Sequence, residues 1–260
     1  MLDLDHTLVH AVANPLASQY CTGALSNVRT FLLPEESAPP SVVGGVDNLF
    51  SCTDPRYTRR HYISLRPSLI PVLQTLQEYY EFTIYTAGNR YYALKVAHAI
   101  ARAVVGAPDV DGFTGATATA LEKSAIAVKR EMFGSRIISR SDVHDLGSNV
   151  KSLERVFPDG GELSVILDDR EDVWAAAYTA TKDTAKTIEA ANAAYIDRPG
   201  EPPYNCLAVQ PYKFHGFTMF DDVNNKSGMD VTKSGENEGG GEDEQLVKTQ
   251  VSRKRLWCIH

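Results

Sequence analysis

The sequence lacks any pairing of its cysteines: Cys21, Cys52, Cys206 and Cys258 stand far apart, with no Cys-x-x-Cys and no Cys/His cluster at zinc spacing. This excludes a disulfide framework and a structural zinc site, and free thiols in a reducing compartment are the expectation. No apolar run approaches the roughly 18 residues that a spanning helix needs. Aspartates occupy the amino terminus, where a secretory signal would carry a basic and then an apolar region. A soluble intracellular chain with no membrane association is therefore expected. Basic excess is missing too. With 26 Lys and Arg against 33 Asp and Glu, the net charge is −7, which argues against a broad basic face for direct nucleic-acid binding. There is no internal repeat. What the chain does have is 260 residues of which 43% are hydrophobic, enough to bury a core in one or two domains.

Along the chain, apolar periodicity alternates between strand and helix. Residues 1–10 predict a short strand entering a polar loop, and residues 11–60, rich in Pro, Ser, Gly and Asn, predict an irregular excursion with one hairpin. HYISLRP from His61 reads as a strand. Residues 68–80 place Leu69, Val72, Leu73, Leu76 and Tyr80 at helical spacing, with Ser68 as candidate N-cap and Pro71 in the first turn. The strand EFTIYT follows, then helices over about 90–105 and 119–131, the strand GSRIISR, a helical turn in VKSLERVF and the apolar strand ELSVIL. This order predicts an α/β fold with a mainly parallel sheet, whose ligands gather at the carboxyl ends of the strands. The Ala-rich residues 175–199 read as an inserted helix with loops. From Asp221 onward the acidic, Gly-rich composition predicts a disordered tail.

Four groups of residues that can do chemistry fall at predicted strand ends. Asp3-Leu4-Asp5-His6-Thr7 has the form DxDxT; in an extended chain residues two apart face the same way, so both carboxylates can enter one site. Two close carboxylates repel unless a cation or a shared proton compensates, and Mg2+ would do so while leaving one as a nucleophile towards phosphorus. Read alone, the pentapeptide is equally a polar cap after a strand. Thr86, in Tyr85-Thr86-Ala87-Gly88, offers a hydroxyl beside small residues that suits a phosphate oxygen, although an ordinary turn explains the same residues. Lys151 is by default a solvated surface charge; its functional reading is a point charge against phosphate. Asp168 and Asp169 end so apolar a strand that metal coordination is the natural explanation.

In this order the four motifs resemble the haloacid dehalogenase phosphohydrolase pattern. DLDHTLVHA, SLRPSL, EFTIYTAGNRYYALKVA, FGSRIISR, KSLERVFP, ILDDREDVW and LAVQPYKFH together resemble the TFIIF-associating phosphatases of the RNA polymerase II carboxy-terminal domain. The resemblance implies a haloacid-dehalogenase-like Rossmannoid catalytic domain over residues 1–220, with insertions at about 11–60, 106–130 and 175–204 and a tail over 221–260. It implies a Mg2+-dependent protein serine/threonine phosphatase. Asp3 would carry the phosphoryl group and Asp5 would act as general acid and base. Asp3, the backbone carbonyl of Asp5, Asp168 and Asp169 would hold Mg2+, Thr7 would orient the loop, and Thr86 and Lys151 would bind phosphoryl oxygens. Arg66 and Arg140 are implied as substrate contacts or internal ion pairs, and Trp174 as packing. The implied substrate is the phosphorylated carboxy-terminal domain of RNA polymerase II, with TFIIF as a partner and the nucleus as the place of action.

Only two residues precede Asp3, where a central parallel strand usually has five or six, so a weakened first strand is expected. No phosphopeptide-binding BRCT domain follows the catalytic part. Two rivals share the motifs: a small-molecule phosphatase, which needs a closed pocket, and a phosphopeptide-binding protein without turnover, which the short first strand would favour.

Overall fold

The computed structural model describes residues 1–21, 27–35, 38, 54–108, 115–142, 151–157, 161, 163–174 and 203–223. The chain divides into Met1–Lys226 and Ser227–His260, and the second unit, like the Ala-rich segment 175–199, lies outside the described residues. Among the described residues no helix is long and apolar enough to cross a membrane.

The parallel sheet is assembled from short pieces. Strand β4 (Ile84–Tyr85) pairs in parallel with β5 (Ile137–Ile138), and β6 (Ile166–Asp168) with β7 (Cys206–Ala208). The amino terminus joins the two pairs: Leu2 forms parallel bridges to both Ile84 and Leu167. Its ladder is complete on both sides. Leu2 N–H donates to Thr83 O at 2.8 Å and Leu2 O accepts from Tyr85 N–H at 2.9 Å; Asp3 N–H donates to Leu167 O at 3.0 Å and Met1 O accepts from Leu167 N–H at 2.9 Å. The spatial order is therefore β5, β4, Met1–Asp3, β6, β7. So short a segment suffices as the centre because its backbone groups are paired on both edges and Met1, Leu2 and Leu4 are buried. The weakness expected of this strand is not seen in its pairing.

The described residues within 11–60 are more regular than the composition of that span suggests. Strands β1 (Val9–Val12), β2 (Val28–Pro34) and β3 (Thr58–Leu65) form an antiparallel sheet in the order β1-β3-β2. Strand β2 opposes β3 over seven residue pairs from Val28↔Ser64 to Pro34↔Thr58. Composition misled here because the polar, Pro-rich stretches connect strands that are themselves β-branched and aromatic.

Helix α1 (Leu69–Leu76) is shorter than its periodicity predicts, and Leu69 and Leu73 form its buried stripe. Val72 is 50% exposed and Tyr80 49%, so both fall outside that stripe. Ser68 is not a side-chain cap: it adopts a left-handed conformation at φ 61° and makes no capping bond. Helix α2 (Arg90–Val104) matches expectation, begins at an Asn89 cap and buries Tyr92, Ala93, Val96, Ala97 and Ile100 in the main core. Helix α3 (Ala116–Met132) packs along α2, where Glu122 pairs with His98 at 2.7 Å and Arg102 at 2.9 Å. The segment VKSLERVF contributes one 3-10 turn at Leu153–Arg155. The main core joins Leu2, Leu4 and Ile84 to Tyr92 and Ile100 of α2 and to Ile63 of β3, so the central segment of the sheet is anchored on two sides.

Candidate active site

The DxDxT segment leaves the sheet and reverses at once. Leu8 and Val9 N–H both donate to Leu4 O at 2.9 and 3.0 Å, and His6 takes a left-handed conformation at φ 60°. A bulky residue there is strained and needs its surroundings to hold it. Arg66 supplies much of that hold: its Nε donates to Thr7 O at 2.6 Å and its Nη2 to His6 O at 2.9 Å and Gln210 O at 2.6 Å. Neither expected role, substrate contact or internal ion pair, describes these bonds. Arg66 is a guanidinium clamp on loop carbonyls, a use for which five donors in a rigid fork are suited. Sequence reasoning offered only the other two roles, because backbone acceptors leave no trace in residue types.

A second set of bonds comes from the segment after β7. Tyr212 N–H donates to His6 O at 2.6 Å, and its hydroxyl lies 2.9 Å from Ser64 Oγ. Phe214 N–H donates to His10 Nδ1 at 2.9 Å, so the proton of that ring sits on Nε2, which donates to Asp222 at 2.7 Å. Asp222 also meets His6 Nε2 at 3.1 Å and bridges Val12 through its backbone. The chain is therefore fixed on the fold through Val223, past the point at which the acidic tail was expected to begin; the rest of that tail lies outside the described residues.

At the strand ends, Asp3, Asp168 and Asp169 bring carboxylate oxygens within 4.8 Å of one another. Lys151 is only 5% exposed, the reverse of a solvated surface lysine, and its Nζ stands 2.5 Å from Asp3 Oδ1 and 2.7 Å from Asp168 Oδ2. Burial works against the ammonium, but the Asp3 and Asp168 carboxylates outweigh it and hold the Lys151 pKa above its ordinary value. Burial pushes Asp3 up to about 7; Lys151 opposes the rise, while Asp168 and Asp5 add to it. Asp169 is likewise raised, by burial and then by Asp168. Three carboxylates facing one ammonium leave a negative excess, and an all-oxygen cluster of this kind fits a hard divalent cation such as Mg2+.

The neighbours of this cluster orient it. Trp174 is buried and donates Nε1–H to Asp168 Oδ2 at 2.9 Å, and Arg170 N–H holds Asp168 Oδ1 at 2.9 Å. Trp174 packs edge-on against Tyr85, and both rings lie 5.8 Å from Lys151 Nζ. The indole combines packing with direct support of a carboxylate, a role that sequence reading alone missed. Thr7 Oγ1 accepts Asp169 N–H at 2.9 Å and donates to Asp169 Oδ1 at 3.2 Å, so it ties the first strand end to the last. Asp5 stands outside the three-carboxylate cluster and receives the hydroxyl of Tyr92. Thr86 is buried at the end of β4, and its Oγ1 accepts Gly88 N–H at 3.0 Å. Arg140 is exposed, and its backbone N–H secures Gly88 O at 2.9 Å. The thiol of Cys206, on the strand beside Asp168, is pushed up to about 12 by burial and the nearby carboxylates, so it stays protonated.

Residues 1–105 match the family model of NLI interacting factor-like phosphatases. The match lies in the part of the chain that carries Asp3, Asp5, Thr7 and Thr86. Among its relatives are the RNA polymerase II C-terminal domain phosphatases of Schizosaccharomyces pombe, 30% identical over 181 residues, and Saccharomyces cerevisiae, 28% identical over 181 residues. Both alignments cover 67% of this chain but 19% and 21% of the relatives, so the chain spans about a fifth of their length. The solved structure of Fcp1, an essential RNA polymerase II CTD phosphatase, superposes with a TM-score of 0.51 at 27% identity, covering 86% of this chain and 44% of that one. A fission yeast Fcp1 variant bound to beryllium fluoride gives 0.52 at 27%, covering 86% and 43%. The α/β architecture of the family is thus shared.

Proposed function

We propose that this chain is a Mg2+-dependent protein serine/threonine phosphatase that works through an aspartyl phosphate and acts on the phosphorylated carboxy-terminal domain of RNA polymerase II. The observation that carries this reading is the buried Lys151 ammonium shared between Asp3 and Asp168, with Asp169 completing the carboxylate cluster. Nothing about a packing role calls for three acidic groups at strand ends and a buried lysine that the chain must bring together from residues 3, 151, 168 and 169.

In the first step Asp3 attacks phosphorus, the bond from phosphorus to the serine or threonine oxygen breaks, and Asp5 gives that oxygen a proton. In the second, water attacks the same phosphorus and yields its proton to Asp5, and the bond to Asp3 breaks to release inorganic phosphate. Lys151 favours the ionised form of Asp3 against the burial that raises its pKa, and offsets charge on the phosphoryl oxygens. Thr86, whose oxygen already accepts Gly88 N–H, has its hydroxyl proton to donate to one of those oxygens. Asp3, Asp168, Asp169 and the Asp5 carbonyl would hold Mg2+, which when bound would neutralise the carboxylates and polarise the phosphoryl group. The names of the relatives support the polymerase tail as substrate; action in the nucleus and a TFIIF partnership belong to the same proposal and rest on the resemblance of the sequence blocks.

The decisive experiment is phosphate release from a phosphoserine heptad peptide with Mg2+, comparing the chain with Asp3→Asn. Magnesium-dependent turnover, lost by at least about a thousandfold in the variant, is expected. Folded protein that binds the peptide without turnover would establish the non-catalytic rival, and preference for a metabolite ester in a substrate panel would establish the small-molecule one.

A further inference from the structure

We infer that Tyr92 is a positioning residue for Asp5, and that Gly88 and Asn89 exist at their positions to seat its phenol. The inference rests on the phosphatase reading and concerns how its acid–base group is aimed. Tyr92 is 1% exposed on the first turn of α2, yet its hydroxyl reaches back to donate a hydrogen bond to Asp5 Oδ1. A carboxyl at the end of a strained loop can rotate about its own bond, and proton transfer needs one oxygen held in line with the leaving group. The phenol fixes that rotation.

Three features independently place the ring. Asn89 Oδ1 accepts Tyr92 N–H at 2.9 Å, so the helix cap sets the residue's backbone. Phe31 of β2 meets the ring edge-on at 6.2 Å between centroids and packs against it. Gly88 leaves the near side open: a Cβ there would stand 2.6 Å from Tyr92 Cδ1, closer than side-chain atoms tolerate. The glycine after Thr86-Ala87 thus has a spatial reason beyond a turn. Phenol, cap and clearance together deliver one hydroxyl to one carboxylate oxygen.

The test is Tyr92→Phe, which keeps the ring and removes the hydroxyl, compared with wild type on two substrates with Mg2+. A phosphoserine peptide expels an alkoxide that needs a proton; p-nitrophenyl phosphate expels a stable phenolate that does not. The ratio of kcat/KM for peptide over nitrophenyl ester is expected to fall by about tenfold or more, with peptide KM within about twofold of wild type. Equal losses on both substrates would show a role in packing alone and overturn the inference, as would an unchanged ratio. If Tyr92→Phe does not fold, shown by a lost cooperative melt, Gly88→Ala displaces the phenol by its Cβ and is expected to lower the same ratio; an unchanged ratio there also overturns it. Failure of wild type to turn over either substrate would sink the phosphatase reading itself, and is distinguished by that control.

Discussion

The side chains at this site do their work through atoms that residue types only half disclose. Trp174 and Arg66 make the point. A tryptophan near an Asp-Asp pair reads as packing, and its indole does pack against Tyr85, but its N–H also takes one oxygen of Asp168. Removing that donor while keeping an aromatic ring, in Trp174→Phe, is expected to weaken the response to Mg2+ by about tenfold, read as the Mg2+ concentration for half-maximal activity. An unchanged response would leave Trp174 with packing alone. Motif residues were legible because acidic groups at the end of apolar strands are conspicuous against their surroundings. Their supports were not: Arg66 meets carbonyls, and Tyr92 meets Asp5 from a helix 87 residues along, contacts with no local sequence signal.

Among elements, the helices and the longer strand β3 were legible from periodicity; β4, β5 and β6, two or three residues each, came through as short strand-like runs, while β7 was not anticipated as a strand. The antiparallel sheet was hidden by the polar connections between its strands. The segment from Val209 to Val223 was hidden for another reason: its value lies wholly in long-range bonds. Val209 N–H donates to Asp168 O, Tyr212 N–H to His6 O and Val223 N–H to Ala11 O, and the Asp222 carboxylate meets two histidine rings. Replacing Asp222 by Ala should therefore cost about 1–3 kcal/mol, measured by urea denaturation, because the buried His10 Nε2–H loses its acceptor. A loss within about 0.5 kcal/mol would mean that water takes the carboxylate's place.

For the whole molecule, burying Asp3 couples stability to pH and to cation. Its carboxyl is raised to about 7 in the fold, chiefly by burial, whereas in the unfolded chain it titrates at the ordinary 3.8. Between those values the folded state binds more protons than the unfolded one, so this group's contribution becomes less favourable as pH rises through the interval. In chelator, the melting temperature should fall from pH 5 to pH 8 more steeply for the wild type than for Asp3→Asn. With Mg2+ the fall should shrink, since the cation takes the place of the proton, and stabilisation by Mg2+ should be larger at pH 8 than at pH 5. Equal slopes in both proteins would remove Asp3 from the account.

The central position of Met1–Asp3 in the sheet has a consequence for synthesis. Asp3 leaves the ribosome well before its partners: the ammonium that pairs with it comes 148 residues later, and the carboxylate that holds His6 comes 216 residues after that histidine. Until Leu167 has been made, one edge of Leu2 has no neighbour and stays open, even when Ile84 already covers the other. The central ladder is complete only once β6 joins residues translated long before it.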